Sequence, residues 1–184
     1  MKKPISSSPM EALGGMILEN LLDDLKVFIE EDLKDYRLPV KQGERKDQPL
    51  ERPVEVSSMV MPDPDDDHER VPYIMLQLLN GKDERADSGQ MKSQVNVRIV
   101  ITIFNRDKQE GRLQILHIIQ KLRADLLRKG IVGRSFEVLW PLEYLIYPDE
   151  TEWNHLGEMS VMFSVPPVER ELPELRGLDW GIKP

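Results

Sequence analysis

The strongest constraint on the fold is the segment VNVRIVITIF at 95–104, in which apolar and polar side chains alternate. A period of two residues is typical of a β-strand with one buried face, because successive side chains of a strand point to opposite sides of the sheet. The apolar side consists of Val95, Val97, Ile99, Ile101 and Ile103. The segment therefore predicts a sheet with one face covered by other parts of the chain.

Three further segments, 71–79, 136–147 and 159–165, are predicted to be strands because they alternate or are rich in β-branched and aromatic residues. Residues 54–60 could form a shorter strand. One face of 136–147 carries the predicted core residues Phe136, Val138, Trp140, Leu142, Tyr144 and Ile146. Pro141 has the opposite parity, which favours an edge position or a bulge. Two strand pairs have connections too short for a parallel crossover and are predicted to be hairpins.

Two segments have the helical period of about 3.6 residues, with apolar residues three and four apart. The first runs from about Met16 to Tyr36. Ser8 and Pro9 have the form of a helix start, but Gly14-Gly15 weakens a helix there. The second runs from Leu113 to Lys129, with Gly130 as its predicted C-cap.

The order helix, short strand, strand, strand, helix, strand, strand predicts an α+β fold. We expect a mostly antiparallel sheet of four to five strands with two helices packed on one face. The length of 184 residues indicates one domain. We predict a flexible N-terminal arm at 1–15 and a single α+β domain at 16–168. A loop-rich insertion at 41–70 interrupts the domain, and an extended C-terminal tail follows at 169–184.

The composition excludes several classes of function. The chain has no cysteine, which excludes disulfides, thiolate nucleophiles and zinc ribbons. No apolar run approaches the roughly 20 residues that span a bilayer, and no signal peptide is evident, so we expect a soluble intracellular protein. The net charge of −8 argues against a general DNA or RNA binder, since affinity for phosphates comes mainly from Lys and Arg.

The charge is unevenly distributed along the chain. Residues 107–134 carry seven basic and three acidic side chains, whereas residues 135–184 carry three basic and ten acidic ones. Residues 41–70 are also acidic, with five basic and nine acidic side chains. A basic middle between acidic flanks suits head-to-tail self-association, although an ordinary solvated helix face has the same composition.

The second predicted helix has more apolar surface than a sheet needs to cover. Its main stripe contains Ile115, Ile118, Ile119, Leu122 and Leu126. Leu113, Leu116 and Leu127 lie about 100–160° around the helix from Ile115. They are therefore candidates for a contact between subunits. The alternative is that they pack against the first helix of the same subunit.

No motif predicts catalysis. The acidic run at 63–69 resembles a metal-binding segment in composition, but it lacks the glycine and the final glutamate of a calcium loop. His68, His117 and His155 share no recognisable motif with a nucleophile, and there is no G-x-S-x-G, P-loop or G-x-G-x-x-G. We therefore predict no catalytic residue, no metal site and no cofactor.

The segment 81–91 is predicted to be a long charged loop between two strands. It contains Lys82, Asp83, Glu84 and Arg85, and it exceeds the two to five residues of ordinary hairpin loops. A loop of this kind could contact a partner protein or could be disordered. We treat these four residues as candidates for a partner interface.

The serial order of these segments resembles the tail-terminator, or tail-completion, proteins of long-tailed bacteriophages. The resemblance covers roughly 71–168. It rests on VPYIMLQLL, VNVRIVITIFNRD, the helix EGRLQILHIIQKLRADLLRKGIV, FEVLWPLEYLIYPDET and HLGEMSVMFSVP. It implies a ring, usually of six copies, that caps the tail tube and joins it to the head-side connector. DNA would pass through without specific binding, and the protein would occupy the host cytoplasm during assembly and then the head–tail junction.

Two other interpretations of the sequence remain. The chain could be a small cytoplasmic adaptor or regulatory protein that binds one partner through the 81–91 loop. It could also be a metal-dependent hydrolase that uses the acidic run at 63–69. The mass in solution separates these from a ring.

Overall fold

The alternating segment lies at the centre of a six-stranded sheet in the computed structural model, which describes residues 9–40, 51–59, 71–148 and 153–168. Three long strands form the middle of the sheet: β4 (Tyr73–Arg85), β5 (Met91–Phe104) and β8 (Asn154–Val165). β5 pairs in antiparallel fashion with β4 on one side and with β8 on the other. The predicted α+β class is confirmed.

The remaining strands extend the sheet on both sides. β3 (Glu55–Ser58) pairs in parallel with β4, while β7 (Phe136–Ile146) pairs in antiparallel fashion with β8 and with the short β6 (Ile131–Val132). The order is β3-β4-β5-β8-β7-β6. A separate antiparallel pair joins β1 (Arg37–Pro39) to β2 (Glu51–Pro53).

The predicted sheet of four to five strands was thus too small. β1, β2 and β6 are only two or three residues long, and such strands are too short to show an alternating pattern. The short strand expected within 54–60 is confirmed as β3, and both expected hairpins are antiparallel. The acidic run at 63–69 and the tail at 169–184 lie outside the described residues.

Both helices, α1 (Pro9–Asp32) and α2 (Lys108–Lys129), contribute to one core on one face of the sheet. Leu25 and Ile29 of α1 and Ile118 of α2 are fully buried there, together with Ile99 of β5 and Val161 of β8. α1 contacts β3 and β4 near one edge of the sheet and β6 at the other, so the sheet curls around this helix.

The first helix starts earlier and ends earlier than predicted. It begins at Pro9, so residues 9–15 of the predicted arm are helical, and it ends at Asp32 rather than near Tyr36. The cost of a glycine in a helix is only about 1 kcal/mol, and it does not stop the helix at Gly14-Gly15. After Asp32 the chain turns and enters β1.

The second helix is closed at both ends by its own sequence. Asp107 is the N-cap, and its carboxylate accepts a hydrogen bond from the Glu110 amide at 2.9 Å. Gly130 is the C-cap with φ of 69°, as predicted. The helix lies tightly on β8, because a Cβ atom at Gly157 would be 2.6 Å from Cγ2 of Ile115.

The predicted long loop at 81–91 is wrong. β4 continues to Arg85 and β5 begins at Met91, so the connection is limited to residues 86–90. A bulge between Leu78 and Asn80 shifts the register, and pairing then continues to Arg85 opposite Met91. The far part of the hairpin is polar, and a polar strand has no alternation of hydrophobicity by which it could be predicted.

Candidate functional site

The four charged residues predicted as a partner interface all lie in the outer part of β4. The Lys82 ammonium group forms an ion pair with the Glu84 carboxylate, and this pair lowers the pKa of Glu84. The Asp83 carboxylate accepts a hydrogen bond from the buried Ser93 hydroxyl. Arg85 donates from Nε to the carbonyl oxygen of Gly89 at 3.2 Å. These contacts hold the four charges on a paired strand and not in a loop.

A groove of about 230 Å³ with both polar and apolar lining residues lies beside this outer part of the hairpin. Ile17 and Leu18 of α1 form one side, Gly81 and Val95 form the hairpin side, and Val168 follows the end of β8. Leu18 and Val168 are both exposed. The structure therefore brings Lys82 and Asp83 next to an apolar surface.

The three leucines predicted as a contact stripe on α2 have different environments. Leu127 packs against the core of its own subunit, which agrees with the alternative of internal packing. Leu116 is half-buried, and Leu113 is 44% exposed. Leu113 lines a shallow depression of about 320 Å³ with Lys108 and Arg112. The stripe available to a neighbour is therefore limited to Leu113 and part of Leu116.

A charged cluster joins α1 to α2. The Lys121 ammonium group lies 2.7 Å from Oδ1 of Asp32 and 3.0 Å from Oδ2 of Asp125. Desolvation raises the pKa of Asp32, whereas the hydrogen bond from Lys121 lowers the pKa of Asp125. Hydrogen bonds to both carboxylates raise the pKa of Lys121. The cluster sits at a junction between helices, and its geometry fits a structural role.

A group of exposed large apolar residues lies on β7. Trp140 is 73% exposed, Tyr144 is 52% exposed and Leu145 is 49% exposed. The prediction that Trp140 and Tyr144 belong to the sheet core is wrong. A bulge between Leu139 and Leu142, as the position of Pro141 indicated, leaves Trp140 without a partner on β8. Tyr144 stays opposite the buried Met159 on the helix-covered face, but it is exposed because β7 lies at the edge of the sheet.

The strand β7 also forms an edge of the sheet along most of its length. β6 pairs only with Phe136 and Glu137, and the Val138 amide donates to the carbonyl oxygen of Gly130. Beyond this point no described strand pairs with the outer side of β7. Sequence reasoning missed this surface because the aromatic residues fit a core pattern equally well.

The histidines do not come together. His155 is the second residue of β8, not part of a turn as predicted, and it is buried, with Nε2 3.1 Å from the carbonyl oxygen of Asn105. Gly111 faces this ring, since a Cβ atom there would be 2.2 Å from Nε2. His117 is exposed on α2, and His68 lies outside the described residues.

Within the described part of the chain, no group of three or more His, Asp or Glu side chains could hold a metal ion. Neither α1 nor α2, the two helices described, is long and apolar enough to cross a membrane. Comparison of the sequence with protein-family models and with curated proteins finds no match.

Proposed function

We propose that the chain is a structural subunit of a phage virion that forms a homohexameric ring, caps the tail tube and joins it to the head-side connector. The observation that carries this proposal is the exposed apolar edge formed by Trp140, Tyr144 and Leu145 of β7. Exposed apolar residues that adjoin an unpaired strand usually mark a surface that another protein covers. A ring subunit needs such a surface on each side.

The order of the elements supports the same proposal. The described chain runs β4, β5, α2, β6, β7, β8 over the region that resembles tail terminators, with α1 in the leading position. The outer part of the β4–β5 hairpin and the open edge of β7 lie toward opposite edges of the sheet. Two different contact surfaces generate a ring when the rotation between copies closes.

The proposed activity is binding without catalysis or cofactor. The ring stops growth of the tube by covering its end with a surface to which no further tube subunit binds. The net charge of −8 suits a channel through which DNA passes, because a basic lumen would hold the phosphates. The protein would act in the host cytoplasm during assembly and remain at the head–tail junction.

The direct test is electron microscopy of the protein mixed with tail tubes assembled from the tube protein of the same genome. We expect a ring at one end of each tube and shorter tubes when the protein is present during assembly. The mass in solution, or on the tube, should be six times the subunit mass of 21.4 kDa. Bare tube ends with an unchanged length distribution would contradict the proposal.

A matched pair of variants makes this test specific. Trp140→Ser combined with Tyr144→Ser removes the exposed aromatic residues of β7 and should abolish the ring and the capping. Val27→Ser removes an apolar side chain that is also about half-exposed but lies on α1, and it should leave both intact. Circular dichroism and the melting temperature establish that all variants are folded.

A further inference from the structure

The six-stranded sheet has two stretches of edge that no described strand covers. β3 pairs with β4 only from Tyr73 to Leu76, and Sδ of Met59 accepts from the Leu78 amide. Among the described residues, none therefore pairs with the outer side of β4 from Leu79 to Arg85. On the other side of the sheet, β7 is open from Leu139 to Ile146. Both stretches are largely exposed to solvent.

Unpaired strands are usually protected by lysines, prolines or bulges. Lys82 and Arg85 protect the open part of β4, whereas residues 142–146 of β7 carry only one charge, on Glu143. The backbone amides and carbonyls of this stretch can be paired by another extended strand. The chemistry of the edge therefore calls for a strand with a basic residue opposite Glu143.

The direction of the strands restricts how a second copy can supply that strand. Along β4, β5, β8 and β7 each neighbour is antiparallel to the last. A second copy in the same orientation, with its β4 beside β7, is therefore antiparallel to β7 without any inversion. The helix-covered faces of both copies then stay on the same side.

The faces of the individual residues agree with this arrangement. Glu143 is opposite Ser160, whose hydroxyl donates to Asn96 at 2.9 Å on the face away from the helices. Lys82 is opposite Gln94, which also lies on that face. Residues directly opposite each other in an antiparallel pair share a face, so Glu143 can lie opposite Lys82 of a neighbouring copy.

This register places compatible side chains opposite each other from Glu143 to Ile146, whereas Leu142 falls opposite Asp83. Tyr144 falls opposite Gly81, which leaves space for the aromatic ring on a strand that carries no side chain there. Ile146 falls opposite Leu79, and both are apolar. When Lys82 forms an ion pair with Glu143 of a neighbouring copy, Glu84 still has a cationic partner in Lys92, which lies opposite it on β5.

The lengths of the open stretches also match. Ile146 opposite Leu79 ends the contact before the part of β4 that β3 occupies, and β6 covers only the beginning of β7. We infer that β7 of one copy docks on the outer part of β4 of the next, with Glu143 opposite Lys82, so that one sheet continues from subunit to subunit. This inference rests on the self-association proposed above and names the two surfaces that make it.

The test uses the absence of cysteine from the chain. In the double variant Lys82→Cys/Glu143→Cys, the paired Cα atoms would be about 4.5–5.5 Å apart, which is within disulfide range. Oxidation should give a ladder of covalent oligomers in a denaturing gel, ending at the mass of the closed ring. Lys82→Cys/Glu137→Cys is the matched control, since Glu137 and Glu143 lie opposite Ser164 and Ser160, four positions or roughly 13 Å apart along the ladder, and it should give no ladder of oligomers.

Single variants distinguish this contact from other strand pairings at the open edge of β7. If Glu143→Cys alone forms dimers efficiently, two β7 strands pair with each other and the inference is wrong. A ring that forms without the 82–143 cross-link also overturns the inference, but it leaves the proposed function standing. A double variant that stays monomeric overturns the inference as well. A cross-linked ring that does not bind tubes would instead overturn the proposed function and keep the contact.

Charge reversal provides a second measurement that needs no oxidation. Lys82→Glu or Glu143→Lys alone should weaken association about tenfold, because like charges would face each other. The double reversal should restore most of the affinity, measured by sedimentation. No recovery in the double variant would contradict the pairing.

Discussion

The two ends of the β4–β5 hairpin belong to the same antiparallel strand pair, with a bulge between Leu78 and Asn80, but they differ in burial and in polarity. The base, residues 73–78 with 97–102, contains fully buried side chains such as Ile74, Leu76 and Ile99. The outer part, residues 79–85 with 91–96, is mostly polar, and its β4 side is largely exposed. Strand pairing here does not require burial, because the ladder formed at the base is extended outward.

The energetics of the two ends differ accordingly. Fully burying a branched aliphatic side chain stabilises a fold by about 1.5–3 kcal/mol. An exposed ion pair such as Lys82–Glu84 contributes little to stability, because water screens its charges. The base therefore supplies the stability, which leaves the residues of the outer part free to serve a contact.

The largest expected effect on stability follows from truncating a buried side chain at the base of the hairpin. Ile99→Ala leaves a cavity in a fully buried position and should lower the free energy of unfolding by about 2–5 kcal/mol. Leu79→Ala in the outer part removes a side chain that is 51% exposed and should change it by about 0.5 kcal/mol or less. Urea denaturation of both variants measures the contrast, and equal losses would contradict it.

A second prediction concerns the contact between α2 and β8 next to the base. Gly111→Ala places a methyl group against the His155 ring and should cost about 1–3 kcal/mol, although alanine favours helix. In the double variant with His155→Ala, the cost of the added methyl group should largely disappear. If both changes are simply additive in thermal unfolding, the close approach does not limit the packing.

The third prediction concerns the cluster that joins the helices. Lys121→Met leaves Asp32 without its cation and should cost about 1–2 kcal/mol at neutral pH. Lys26→Met, at the exposed pair with Glu30, is the control and should have little effect.

The pH dependence of this variant has a defined sign. Burial raises the folded-state pKa of Asp32 above its unfolded value, so the folded protein takes up that proton first as the pH falls. Without Lys121 the folded pKa rises further, and the loss of stability should be greatest at neutral pH and shrink on acidification. A loss that grows toward acid pH would contradict the assignment of Asp32 as the group left unpaired.

The smallest effect is expected at the outer part itself. Lys82→Ala should leave the free energy of unfolding nearly unchanged, because its partner Glu84 is half-exposed and can turn to Lys92. The same variant should weaken self-association measurably. Measuring both the free energy of unfolding and self-association on one preparation shows whether Lys82 stabilises the folded subunit or the contact between copies.

The parts of the fold that bury apolar residues could be predicted from the sequence. Val95 to Ile103 and Ile115 to Leu126 were assigned correctly, since burial imposes a period on the side chains. The outer part of the hairpin could not be predicted in this way, because a polar strand and a polar loop have the same composition.

The candidate contact surfaces were predicted only in part. Lys82 and its neighbours were selected for the wrong structural reason, while Trp140 and Tyr144 were assigned to the core. A side chain at a free edge and one at a covered edge fit the same alternation, and only the strand order distinguishes them. Pro141 was the one local signal for the irregularity in β7, and it was interpreted correctly.

The position of α1 inside the curled sheet has a consequence for biosynthesis. Its leucines leave the ribosome before the rest of the fold, yet α1 contacts both β3 near one edge and β6 at the other. The helix cannot reach all its final neighbours until residue 132 has been translated. Contacts between residues so distant in the chain slow folding, so the nascent polypeptide must keep this apolar helix from associating with other proteins until the second half of the domain appears.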